Sequence, residues 1–209
     1  LSTALYHVSQ TGNLQIVENL SQLGRTLAAG EILQLSNVKN PDFSEQVYYD
    51  VIRKKTASLF ASCAAFGALS VGAAADDVEL SRQFGDTLGM MFQIRDDIFD
   101  YYDSREIGKP TGNDMAEGKL TLPVLFALKQ SPFDSMVNLA KKVKMGTINT
   151  DEIAVLVDYT KQQGGIEYAE QRMQYFYDQS LVFIDKCVKK AEIRDALITY
   201  LDYVMKRHY

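Results

Sequence analysis

The 209 residues are 46% hydrophobic, enough apolar surface for one sizeable core. A formal net charge of -5, with no basic stripe between aromatics, excludes a nucleic-acid footprint. No apolar run reaches the roughly 18 residues of a membrane helix, and no cationic segment with a cleavage site opens the chain, so a cytoplasmic location is expected.

In chain order, Leu14, Val17, Leu20, Leu23, Leu27, Ile32 and Leu35 recur at helical spacing and predict a helix over 14–35. Pro41 breaks the run, and Ser44 is placed to cap the next helix. Long helices are predicted over 45–73 and 77–102. The stretch 105–119, punctuated by Gly108, Pro110, Gly112 and Gly118, predicts a loop. A buried helix follows over 120–130, with Pro123 tolerated in its first turn. The next starts at Asn149 and stops at Gly164 and Gly165, and two amphipathic helices over 166–190 and 193–209 complete the chain. Residues 141–144, rich in lysine, read as a solvated turn. Cys63 and Cys187 read as free buried thiols, Met90 and Met91 as core, and His7 and His208 as surface or capping residues. There is no strand pattern and no repeat. The expected class is all-α, a bundle of long, mostly antiparallel helices in one domain spanning 1–209.

The segment "QIRDDIFDYYD" sets Asp96, Asp97, Asp100 and Asp103 among apolar residues. At helical spacing Gln93, Asp96, Asp97 and Asp100 are expected to share a face. Like charges at that spacing repel, and more so in apolar surroundings, so a hard divalent cation such as Mg²⁺ is a natural complement. A solvated acidic face is the plainer alternative. Lys109 and Lys119 follow in two Gly-Lys pairs, and Lys55 with Thr56 opens a stretch of small residues. Lysine is a compact point charge suited to phosphate oxygens. Neither pair is a P-loop, because Lys119 is followed by Leu120.

These residues resemble the trans-isoprenyl (polyprenyl) diphosphate synthases. Phe92-Gln93, Asp96-Asp97-x-x-Asp100, Gly108-Lys109, Asp114, Gly118-Lys119, Thr121 and Pro123 match the family's second aspartate-rich region, and Lys55-Thr56 and "AAGEILQL" match two earlier motifs. The family's first aspartate-rich motif has no counterpart, so the chain is similar to the C-terminal two-thirds of a synthase, beginning mid-domain. The resemblance implies an isoprenoid synthase-like fold and condensation of an allylic prenyl diphosphate with isopentenyl diphosphate. It places Mg²⁺ on Asp96 and Asp100 with Asp97 close by, and the allylic diphosphate on Lys55, Lys109 and Lys119. Gln93 and Thr56 would steady the cation region or the phosphate. A homodimer through 14–35 is also implied. The alternative is a non-catalytic helical subunit of a heteromeric synthase.

Overall fold

In a computed structural model, residues 2–38, 40, 42–102 and 111–207 are described. Among them there is no strand. Helix α1 is Ser2–Ser9, and α2, Leu14–Val38, carries the predicted apolar stripe with Ile16, Leu20 and Leu23 buried. Helix α3, Glu45–Ile52, starts where the Ser44 side chain accepts from the Val47 N–H. The predicted helix over 45–73 is one rod with an inserted π-helical turn at Arg53–Ala57, after which α4 runs over Ser58–Ser70. The short link 71–74 turns the chain back into α5, Ala75–Phe99. Then come α6 (Asn113–Ala116), α7 (Leu122–Gln130), α8 (Asp134–Met145), α9 (Thr150–Gln162), α10 (Gly165–Cys187) and α11 (Ala191–Lys206).

Helix α5 is the hub. It packs on α4, the π-helical turn, α7, α10 and α11. Its face toward α4 carries glycine at two successive turns, Gly85 and Gly89. A Cβ at Gly85 would lie 2.5 Å from the Phe60 carbonyl oxygen, and one at Gly89 would lie 2.5 Å from Ala57 Cα. The small buried Ala61, Ser62 and Ala65 of α4 answer this, and the two backbones pack at close range. The opposite side of α5 holds Met90, Met91, Ile94 and Ile98, which are fully buried with Leu122, Leu156, Met173, Ile184 and Leu201 in one continuous apolar cluster. No helix among the described residues is long and apolar enough to cross a membrane.

Several expectations need correction. Residues 141–144 are not a solvated turn but the end of α8. Lys144 turns inward and donates to the carbonyls of Asn37, Asn40 and Asp42 at 3.0, 2.8 and 3.2 Å, satisfying acceptors left over past the end of α2. The predicted loop over 105–119 contains α6. Cys63 is exposed, because α4 turns its small-residue face to α5 and its other face out; Cys187 is half-buried at the end of α10. Met90 and Met91 are core as expected. Asp103, Gly108, Lys109, Pro110, Pro41 and His208 lie outside the described residues.

Candidate functional site

Seven elements meet around a cleft of ≈ 250 Å³, lined among others by Gln34, Tyr48, Lys55, Thr56, Gln93, Asp97, Asp114 and Lys119. The π-helical turn carries two of these, Lys55 and Thr56. Wide turns of this kind are frequent at functional sites because they redirect side chains. The turn is supported from α2. Gly30 lets that helix approach so closely that a Cβ would lie 2.8 Å from both Lys54 Cβ and Lys55 Cγ. The next residue, Glu31, pairs with Lys55 at 2.5 Å, and Lys55 also donates to Gln34. The Gly-Glu of α2 thus holds a lysine at the rim of the cleft.

Opposite, α5 contributes Gln93 and Asp97 one turn apart. Tyr48 donates to Asp97 Oδ2 at 2.7 Å, Gln93 Nε2 donates to Asp97 Oδ1 at 2.8 Å, and Thr56 donates to Gln93 Oε1 at 2.6 Å. Asp100 closes α5 and opens α6. Its side chain accepts from the Asn113 and Asp114 N–H groups at 2.9 and 3.1 Å, and its carbonyl accepts from the Gly112 N–H at 2.8 Å. Gly112 has φ of 79°, a left-handed turn that L side chains rarely adopt. That cap fixes Asp114 on the cleft wall. Lys119 then reaches Asp114 at 3.3 Å and Glu117 at 2.5 Å.

Asp96 takes a different direction from Asp97. It pairs with Arg207, whose Nη2 also donates to the Phe92 carbonyl at 3.0 Å and whose guanidinium lies 3.9 Å from the centre of the Phe92 ring. The expected shared face of Gln93, Asp96, Asp97 and Asp100 is therefore split. Adjacent helix positions differ by about 100°, and α11 claims Asp96 while α3 claims Asp97. Lys55, Thr56, Gln93, Asp97 and Lys119 line one cleft; Asp96 and Asp100 are not among its described lining. Sequence reasoning did not single out Tyr48, Glu31, Gln34 or Asn37 as site residues, and Asp114 stood only as a motif position. The Gly-Glu pair was the readable signal for Glu31.

Three lysines, Lys55, Lys119 and Lys144, and three aspartates, Asp42, Asp97 and Asp114, line the cleft. Burial, then the neighbouring Asp114, pushes the Asp97 carboxyl up to about 8, against the opposing hydrogen bonds from Tyr48 and Gln93. Burial, again followed by Asp114, raises Asp100 to about 6. Burial and then Asp97 hold the Tyr48 phenol well above its ordinary value. Burial would lower Lys119, but its bonds to Glu117 and Asp114 prevail and raise it. Carboxylates raised this way favour an added cation. Among the described residues there is no ready cluster of three metal-binding side chains. Magnesium needs none, since it commonly takes one or two carboxylates and completes its shell with water and substrate phosphate. The hard oxygen donors here fit that habit.

Comparison with known proteins shows the family and the fold. A family profile described as polyprenyl synthetase matches residues 1–159. The crystal structure of a geranylgeranyl pyrophosphate synthase from Bacteroides thetaiotaomicron superposes with a TM-score of 0.95 at 51% identity, covering 99% of this chain and 68% of that one. A polyprenyl synthase from Caulobacter crescentus, solved with calcium and isoprenyl diphosphate, gives a TM-score of 0.87 at 28% identity, over 96% of this chain and 61% of that one. Solanesyl-diphosphate synthase 2 of Oryza sativa is 32% identical over 196 residues, 93% of this chain, and the chain spans only 47% of that relative's length. The fold is the all-α, isoprenoid synthase-like bundle of these proteins. With its match over most of its length, the chain belongs to the polyprenyl synthetase family.

Proposed function

We propose that the chain carries the second aspartate-rich half of a prenyl-transfer site, at which an allylic prenyl diphosphate is joined to isopentenyl diphosphate. The observation that carries this is the single cleft in which Lys55 and Lys119 face Asp97 and Asp114, with Thr56 and Gln93 between them. Lysines and carboxylates on one wall suit a polyanion that arrives with its own divalent cation. In this reading Lys55, Lys109 and Lys119 bind the allylic diphosphate; Lys55 and Lys119 exchange their present carboxylate partners for phosphate oxygens. Asp100, beside Asp97 and Asp114, would hold Mg²⁺, and Asp96 would join it on releasing Arg207. When bound, Mg²⁺ supplies positive charge to the departing diphosphate oxygens. Thr56 donates its hydrogen to Gln93, so it presents oxygen lone pairs to the cleft. That polarity serves a developing positive carbon better than a phosphate. Among the described residues Lys55, Thr56, Gln93, Asp97 and Lys119 line one cleft together, which supports the catalytic reading over a non-catalytic subunit.

Calorimetry with inorganic pyrophosphate and Mg²⁺ tests the reading. Lys119→Ala should weaken binding by about 1.5–3 kcal/mol, the scale of a charge-assisted hydrogen bond, and shift stability by no more than about 0.5 kcal/mol. Stability that falls while affinity holds would make Lys119 structural. We further propose that the chain forms a homodimer through α2, which leaves Leu14, Ile32 and Leu35 exposed at 76%, 67% and 62%. Sedimentation at micromolar concentration should give a dimer that Ile32→Lys dissociates; a monomer in the native protein would count against this contact.

A further inference from the structure

The hydrogen bonds at Asp97 form a chain with a fixed direction. Asp97 is 4% exposed and Tyr48, on α3, is 7% exposed. Tyr48 holds one carboxylate oxygen at 2.7 Å, and Gln93 holds the other at 2.8 Å. Gln93 turns its amide NH₂ to Asp97 Oδ1 and its carbonyl to Thr56. A carbonyl only accepts, so the Thr56 hydroxyl hydrogen is committed to Gln93 at 2.6 Å. The orientation of Thr56 is thus decided two residues away, at Asp97.

Helix α3 is itself anchored on both sides of Tyr48. Tyr168 donates to Glu45 at 2.6 Å. Arg172 Nε donates to the Tyr49 hydroxyl at 3.1 Å, with its guanidinium 5.9 Å from the centre of the Tyr49 ring. Both partners come from α10. Tyr48 therefore stands as a fixed post against which Asp97 is set.

We propose that Tyr48 is a positioning residue for the reacting end of the cleft. By fixing one oxygen of Asp97 it presents the other to Gln93, and through Gln93 it dictates which way the Thr56 hydroxyl points. What Thr56 faces rests on the prenyl-transfer reading above; the chain of bonds does not. Without the phenol, Asp97 can turn, Gln93 can present either end, and Thr56 can swing its hydrogen into the cleft. There the hydrogen would meet developing positive charge with the wrong end of its dipole. Tyr48 acts only through these neighbours, so the reaction slows while the diphosphates still bind.

Tyr48→Phe keeps the ring and removes only the hydroxyl. By nitrogen-15 NMR, the Gln93 side-chain amide is expected to exchange with solvent at least about tenfold faster than in the native protein, while backbone amides of α10 keep their rates. In turnover with an allylic diphosphate, isopentenyl diphosphate and Mg²⁺, kcat is expected to fall on the order of 10- to 100-fold with each KM within about threefold. Unchanged Gln93 exchange overturns the proposal, and so does a raised KM with kcat intact. If Tyr48→Phe does not fold, Tyr48→Met carries the same test. Its side chain keeps apolar bulk but has no donor for Asp97, so Gln93 exchange must again accelerate, and its constancy again overturns the proposal. If the native protein binds neither pyrophosphate nor an allylic diphosphate in the presence of Mg²⁺ while Gln93 exchange still responds to Tyr48→Phe, the bond chain stands and the prenyl-transfer reading falls.

Discussion

Raising the pH of the metal-free protein from 5 to 8 is expected to lower its stability. Asp97 is held up to about 8 and Asp100 to about 6, against an ordinary 3.8. Below its raised value each group stays protonated in the native state and loses its proton on unfolding. The unfolded state then binds fewer protons, and stability falls as pH rises. Each group contributes a slope of at most about 1.4 kcal/mol per pH unit. Both act between pH 5 and 6, Asp97 alone between 6 and 8, and above 8 the slope vanishes. Asp100 counts for less because solvent reaches part of it. The whole fall should be about 2–4 kcal/mol. Urea midpoints in EDTA, taken every half unit of pH, measure it. Mg²⁺ with pyrophosphate should remove most of the fall, and Asp97→Asn should remove the part above pH 6. Stability that rises across this window would show that the carboxylates are already compensated.

The second large effect concerns the α4–α5 contact. Gly89→Ala would put a Cβ 2.5 Å from Ala57 Cα and 3.1 Å from both Ala57 Cβ and Phe60 Cβ. The obstacle is backbone, so the helices must part, at a cost of about 2–3 kcal/mol. Ala57 ends the π-helical turn that carries Lys55 and Thr56, so the displacement passes directly into the cleft. Pyrophosphate affinity should therefore fall along with stability. Gly67→Ala is the control. Gly67 lies on α4, and a methyl group added there would meet nothing within 4 Å. The change should be neutral or stabilise by up to about 1 kcal/mol through helix propensity. Equal thermal midpoints for the two variants would refute the close-packing argument.

What was readable in the chain was local. Ser44 and Asn149 announce helix starts because a cap and its N–H lie three residues apart, and both caps are present. The apolar periods of α2, α5, α9 and α10 are likewise properties of one segment. Asp96 and Asp97 could not be told apart, because what separates them comes from elsewhere: Tyr48 lies 49 residues before Asp97, and Arg207 lies 111 residues after Asp96. Lys144 read as a solvated lysine because its carbonyl partners lie 102 to 107 residues away. Cys63 read as buried because α4 is apolar on every side; only its packing against the glycines of α5 decides which face is covered.

The π-helical turn also sets the angular register of the site. Tyr48 and Thr56 both line the cleft, eight residues apart. In an uninterrupted α-helix eight steps advance about 800°, leaving the two side chains about 80° out of line. The wider turn absorbs about one residue, so the separation behaves as seven steps, about 700°, within about 20° of two full revolutions. Straightening residues 53–57 into a regular helix with their number unchanged would therefore swing Thr56 about 80° away from Tyr48, whereas removing one residue along with the wide turn would leave the pair close to two full revolutions apart. The turn works as an angular spacer, letting one additional residue stand between two cleft-lining side chains without moving either off the cleft.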